Sequence, residues 1–401
     1  LIVTINGTPI PLADNGEAIY TPKDIGIYTI TATATNTLGY QESKTVQLEV
    51  YDPEDMSCPE SQIIGPEDGS SVTTPTEIIG TVTADGFIYY VLEYACVGDD
   101  AYTEIAKGTE PVEDGVLGIF DTTLLTNGWY TIRLTGYGSN YHTVDEIALL
   151  VEGQMKIGNY SVSFRDMDIP VQRFPLTVLR NYDSRYKNKS GDFGYGWNLS
   201  MAGATLSESC VPGEYWIQEQ GTGPLGLSKF YFAEERPHTI VIDWGNGKVD
   251  KFDMKLTPDS QPLMPIQYDI SVSYTAQLGT YSKLEALGET TGLIYAEGLL
   301  YQSNLNVYHP EKYKLTTEDG TVYIINANTG VESITDVNGN VITFDEDGIY
   351  HSDGKSIVFN RDDKGRISKI TGPTGKQVSY QYNENGDLAS VTDILGETTK
   401  F

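Results

Sequence analysis

The sequence predicts an all-β chain, and three observations carry that expectation. It holds 41 glycines and 28 tyrosines against only 6 methionines, and segments rich in Thr, Val, Ile and Tyr that are punctuated by glycine favour strands joined by tight turns. Apolar and polar residues alternate in many short runs, among them Thr239 to Asp243 and Val378 to Tyr382, the two-residue period of a half-buried strand. Near the C-terminus, finally, the chain repeats itself with a period of 21 residues.

That repeat is read without a gap. The stretch from Gly354 (GKSIVFNRDDKGRISKITGPTG) overlays the stretch from Gly375 (GKQVSYQYNENGDLASVTDILG). Gly365 falls on Gly386, Ile367 on Leu388, Ile370 on Val391 and Thr371 on Thr392, while Phe359 meets Tyr380 and then Phe401. Each unit alternates, turns through a polar segment (Asp362 to Gly365, Asn383 to Gly386) and alternates again, which describes a hairpin whose turn residues tolerate positive φ. A single hairpin cannot bury its apolar face, so the units must stack into a growing sheet. A worn copy lies upstream: Thr335, Gly339, Ile342 and Phe344 keep the spacing, and the loop from Asp345 to Gly348 is two residues shorter, as in an early or capping unit. The last strand, at Phe401, would be a sheet edge.

The run Gly386-x-Leu388-x-x-Val391-Thr392-Asp393, preceded by Tyr380-x-Tyr382-Asn383, resembles the YD repeat of Rhs proteins, teneurins and the C components of insecticidal toxin complexes. Tyr382-Asn383 and Arg361-Asp362 stand where the repeat has Tyr-Asp. Further back, Phe164 to Met167 and Pro175 to Arg185 are followed by Gly191-Asp192-Phe193-Gly194-Tyr195-Gly196-Trp197-Asn198-Leu199. This order is similar to the lead-in of an Rhs shell, R-x-Y-x-S-R and then G-x-F-G-x-G-W. The resemblance covers roughly the last 250 residues and implies strands wound into a hollow β-cocoon that encloses a C-terminal effector or supports adhesion. Phe193, Tyr195 and Trp197 sit at strand spacing and read either as a core row backed by glycine or as an exposed platform for sugars.

The first 153 residues follow another pattern. Gly26-Ile27-Tyr28-Thr29-Ile30 and Gly128-Trp129-Tyr130-Thr131-Ile132 share one core, 102 residues apart. That spacing suits sandwich domains, and a Gly-x-Tyr ahead of a strand resembles the late-strand corner of immunoglobulin-like folds. The expected organisation is a truncated immunoglobulin-like domain at 1–52, ending on a strand near Thr45 to Val50, and an immunoglobulin-like sandwich at 60–153. An Rhs lead-in β region at 154–330 and YD repeats at 331–401 follow. Tyr51 to Pro59, rich in proline and acid, reads as a linker. Loop acids of the second sandwich (Asp99, Asp100, Glu113, Asp114, Asp145, Glu146) make calcium a candidate ligand. Asp336-Val337-Asn338-Gly339-Asn340 opens like an EF-hand loop, but Asp347 replaces its closing glutamate and no helices flank it, so it reads as a repeat turn.

A net charge of −30 without a basic cluster repels phosphate backbones and anionic lipid, which argues against a nucleic-acid partner. Cys58, Cys96 and Cys210 form no CxxC pair and have no histidine at zinc-ligand spacing; Cys58 and Cys96 could pair. No apolar run reaches membrane-spanning length and no signal segment opens the chain. It begins mid-pattern without an initiator Met, as a fragment whose export signal lies upstream would, which suggests an extracellular or cell-surface protein of bacterial type.

Catalytic machinery is not evident, and neither site residues nor a cofactor are assigned. Asp166 and Asp168, two apart and expected on one strand face, and Asp243 are the nameable carboxylates. His142, His238, His309 and His351 are scattered in loop-like surroundings and read as surface or turn residues. Gly221 to Gly226 (GTGPLG) contains proline and lacks the lysine of a phosphate-binding loop. Between Ser207 and Asn328 only strands are legible, with Asp243 to Gly247 as a turn and a short helix around Ser282 to Ala286. The expected function is a non-catalytic structural segment of a secreted or surface Rhs/YD-repeat protein, forming part of a β-shell and partnered by a C-terminal effector of the same full-length protein that is absent from this chain, or by a surface or glycan partner. The alternatives are an adhesive, glycan-binding surface protein and a carbohydrate-active enzyme.

Overall fold

The computed structural model describes residues 2–13, 15–24, 26–35, 41–50, 57–153, 160–171, 175–200, 204–223, 226–245 and 248–401. Parts of the expected linker (51–56), of the GTGPLG segment (224–225) and of the Asp243 to Gly247 turn (246–247) lie outside them. Among the described residues the regular structure is β-strand plus two single-turn 3-10 helices, Thr122–Leu124 and Ser184–Tyr186, each capped by the aspartate before it. The fold is all-β, with many antiparallel sheets. Two compact units divide it: Leu1–Ser70 with Pro75–Phe120 and Tyr130–Leu149, and the remainder.

The chain opens with a four-stranded antiparallel sheet ordered Thr8–Ile10, Ile2–Ile5, Gly26–Thr35, Gln41–Val50. The Gly-x-Tyr motif acts here through its phenol: Tyr28 donates to the Asp24 carbonyl at 2.9 Å and accepts from the Asp24 amide at 3.2 Å, pinning the corner before the strand. The second copy of the motif lies in a two-sheet arrangement. Glu60–Gly65, Thr76–Thr83 and Val112–Phe120 form one sheet; Thr103–Gly108, Tyr89–Cys96, Gly128–Tyr137 and His142–Val151 form the other, with Ser71–Val72 added in parallel. Phe120 of the first packs 5.4 Å from Tyr94 of the second, and the Tyr90 hydroxyl donates across to the Leu117 carbonyl at 2.9 Å. Cys58 and Cys96 are both exposed and are not linked to each other.

In the second unit the dominant element is an eleven-stranded antiparallel sheet whose strands are hydrogen-bonded in chain order, Lys283–Ala286 first and Thr398–Lys400 last. It begins well upstream of the legible sequence repeat. Its first strand occupies the segment expected to be helical; Leu284 is 2% exposed and pairs with Leu315, so burial on an alternating face overrides local helix preference. Leu284, Tyr313, Leu315 and Ile325 pack on the smaller sheets built from 204–276, whereas Ile357, Phe359, Ile370, Val378 and Val391 pack on the strands of 161–200. Phe344 touches both cores.

One turn recurs along this sheet. In Asp362-Asp363-Lys364-Gly365 the Gly365 amide donates to the Asp362 carbonyl at 3.0 Å and the Asp362 amide to the Arg366 carbonyl at 2.8 Å, with φ +79° at Gly365. That is a type I turn closed by a left-handed glycine, a standard three-residue hairpin loop. The same pair of bonds closes the turns that begin at Thr317, Asp336, His351, Gly372, Asn383 and Asp393. Where the first residue is Asp or Asn, its side chain also caps the loop amides: Asp336 accepts from Asn338 and Asn340, and Asp393 from Leu395 and Glu397. The shorter Asp345 to Gly348 loop is a two-residue turn, capped by Asp345. Gly365→Ala should lower stability by about 1–2 kcal/mol, since a Cβ disfavours the left-handed region, and Asp393→Ala by about 1 kcal/mol for lost caps. Urea unfolding of the two variants checks both values.

Candidate functional site

Along the strand Leu176–Asp183 the inward positions are Leu176, Val178 and Arg180, exposed 0%, 0% and 2%. A guanidinium thus stands where alternation puts an apolar side chain. Its counter-charge comes from the neighbouring strand Ser161–Ile169, which carries a β-bulge between Arg165 and Met167. The bulge places Asp166 inward, against Arg180, and returns Asp168 to the surface beside Arg165 and Thr177. The two acids therefore do not share a face, because the extra residue breaks the alternation that the sequence implied.

Asp166 grips Arg180 bidentately, Nε to Oδ2 at 2.8 Å and Nη2 to Oδ1 at 3.1 Å, and accepts a third bond, at 2.8 Å, from the Tyr380 hydroxyl of the repeats. Phe164, Trp197, Tyr380 and Phe401 surround the guanidinium carbon at 4.7 to 5.9 Å. Burial pushes the Tyr380 phenol far above its ordinary 10.0, and the adjacent Asp166 carboxylate adds to the rise. A planar, weakly hydrated cation suits such a box, and the bidentate pair offsets part of its desolvation.

The Gly191 to Trp197 loop completes the junction. Ile367 of the repeats donates its amide to the Asp192 carbonyl at 2.7 Å, and Asp192 pairs with Arg361 at 2.9 Å. Gly194, at φ +90°, lies so near the Gly386 turn that a Cβ would stand 2.6 Å from the Gly386 carbonyl oxygen. Positive φ at Gly194 and Gly196 breaks the aromatic row: Phe193 and Trp197 are buried, Phe193 4.7 Å from Tyr380, but Tyr195 turns outward over Gly386. In Asp183-Ser184-Arg185, burial alone would raise the Asp183 carboxyl, yet the Arg185 side chain and amide that bond it hold it below the usual range.

A second buried polar group was not signalled by any motif. Glu208 accepts hydrogen bonds from the Tyr313 hydroxyl and, at 2.8 Å, from His309 Nε2, and Tyr274 packs edge-on to Tyr313. Burial pushes Tyr308 up to about 12 and the Cys210 thiol up to about 12, which keeps both protonated at neutral pH and makes Cys210 a poor nucleophile. The Glu208 hydrogen bond raises His309. His351, although only 5% exposed, has a turn role, accepting the Asp353 amide at 3.0 Å, whereas His238, 4% exposed, departs from the surface or turn role expected of it and stacks on Trp216 at 4.1 Å.

Four of the remaining acids are engaged in structure, whereas Asp99, Asp100 and Glu113 are exposed. Asp145 accepts the Ile63 amide at 2.6 Å, Asp114 bonds Thr81, Glu146 bonds Tyr102, and Asp243 accepts Gly245 N and Asn127 Nδ2. Among the described residues no group of three His, Cys, Asp or Glu side chains is arranged to hold a metal ion, and no helix is long and apolar enough to cross a membrane.

Arg180→Met should cost about 3–5 kcal/mol by leaving Asp166 buried and uncompensated, while Arg180→Met/Asp166→Leu should recover most of that loss; denaturant unfolding of both decides. A phenol held above 10.0 in the folded state contributes its full stability below about pH 10 and loses it as pH rises toward the folded value. Unfolding free energy should therefore decline above about pH 10, and less steeply in Tyr380→Phe. NMR titration should find the His309 midpoint lower in Glu208→Gln than in the parent.

Residues 361–398, the hairpins that cover the Arg180 box and the Asp192 loop, match the RHS Repeat family. No curated protein matches the chain. Among solved structures it is similar to the endo-beta-1,4-mannanase from Thermotoga petrophila, at 23% identity over 25% of this chain and 21% of that enzyme, with a TM-score of 0.20. The chain thus spans about a fifth of that enzyme's length, and so low a score carries no argument about fold or activity. What the comparisons establish is an RHS repeat sequence at 361–398.

Proposed function

We propose that this chain is a non-catalytic structural segment of a secreted or surface-displayed Rhs/YD-repeat protein. It would build part of a β-shell that encloses or presents a C-terminal effector of the same polypeptide. The observation that carries this reading is the junction at Arg180. The lead-in strands of 161–200 are fastened to the RHS repeats by a buried ion pair, an aromatic box and a glycine contact, and the repeats then extend the sheet one hairpin at a time. Such a device starts and seals a wall, its carboxylate already taken up by Arg180 and Tyr380.

On this reading 154–330 is the lead-in region and 331–401 the YD repeats, with 1–52 and 60–153 as immunoglobulin-like modules of a stalk. Two features support the last assignment: the Tyr28 corner, and a strand order at 60–151 that places the first, second and fifth full strands in one sheet and the fourth, third, sixth and seventh in the other.

Protease challenge of the full-length protein, purified from its source, tests the shell. The segment after Phe401 should resist digestion while the repeats are folded and become sensitive once 161–200 is destabilised by Gly194→Val. Digestion of that segment at equal rates in both proteins would overturn the reading.

A further inference from the structure

The ladder between the strands Gly330–Thr335 and Val341–Asp345 is incomplete. Only three pairs join them, Ser333 to Thr343, Ile334 to Ile342 and Thr335 to Val341. No ladder pair joins Gly330, Val331 or Glu332 to Phe344 or Asp345, so the two strands part there. A cleft of about 800 Å³ occupies the gap, within the size range of sites that hold a small ligand or a short peptide. Val331 and Phe344 give it an apolar lining, and the parted strands offer main-chain donors and acceptors of the kind an added strand pairs with.

The charge around the cleft is one-sided. Asp192, Glu332, Asp345 and Glu346 line it with a single cation, Arg361. That cation is already committed: Arg361 pairs with Asp192 at 2.9 Å and donates to the Glu346 and Gly365 carbonyls at 2.9 and 2.7 Å. Glu332 is held by Lys312 at 2.7 Å and by Asn326, whereas Asp345 and Glu346 stand exposed at the mouth.

We propose that this cleft is a docking site for an extended, lysine- or arginine-bearing segment of a partner protein, which adds a short strand between the parted strands and sets its cations against Asp345 and Glu346. The proposal does not depend on the shell reading, because it concerns only the parted strands and their charge.

The test is fluorescence anisotropy of the full chain with a labelled hexapeptide of alternating lysine and valine, against one of alternating glutamate and valine. The basic peptide should bind, more weakly as salt rises, and the acidic one should not. Glu346→Lys should weaken binding by about tenfold or more, and Thr343→Trp, which fills the cleft from an exposed position, should abolish it. Glu384→Lys, the same charge change on an exposed turn that does not line the cleft, should leave it unaltered. Absence of binding overturns the proposal, as does binding that all three variants weaken equally or that Thr343→Trp leaves intact, since attraction to the net charge of −30 would then explain it.

Discussion

A guanidinium at 2% exposure constrains everything around it, because a buried charge is tolerable only when it is paired and hydrogen-bonded. Arg180 meets most of that condition through Nε and Nη2, both bonded to Asp166, while its Nη1 is buried without a hydrogen-bond partner among the described residues. Asp166 reaches the guanidinium because a bulge turns the adjacent strand, and Tyr380 reaches the same carboxylate from the repeats. Bulge, ion pair and phenol are thus one arrangement, and the four aromatic rings around the guanidinium exclude water from it. An aliphatic residue at 180 would fill the space but would not select a partner. The pair requires this lead-in strand to meet this repeat unit, which gives the junction its register.

The glycines of the lead-in serve the same end by a different route. Gly194 lets backbone approach backbone at the Gly386 turn, where any side chain would intrude, and the Asp192 carbonyl takes the Ile367 amide. Main-chain contact on one side and a buried charge on the other join the lead-in to consecutive repeat hairpins. Each hairpin adds only short strands, so the sheet owes its cohesion to stacking and to turns that repeat the same closure.

The sequence was most legible where local chemistry decides. A first-position Asp or Asn and a fourth-position Gly mark the hairpin turns that begin at Asp336, Asp362, Asn383 and Asp393, whereas Asp345 to Gly348, with the same two residues, closes as a two-residue turn. The Tyr28 corner was readable from its Gly-x-Tyr setting, and the burial of Phe193 and Trp197 from their strand spacing. Features that depend on a neighbour in space were less so. The bulge that separates Asp166 from Asp168 leaves no mark in a pattern of alternating residues, and Tyr195 leaves the aromatic row because of two positive φ angles. Leu284 looks helical in its own segment and becomes a strand through its partner Leu315. Glu208, Tyr274, Tyr308 and Tyr313 come from segments up to about a hundred residues apart, so no spacing could have grouped them.

If Arg180 joins lead-in and repeats into one cooperative body, they must open together. Native-state hydrogen exchange under rising denaturant measures this directly, by comparing amides of Leu176–Asp183 with those of Ser356–Arg361 and Gln377–Tyr382. The account predicts that their opening free energies converge on a single global value. Lead-in amides that exchange through a separate, lower-energy opening while the repeat amides stay protected would contradict it.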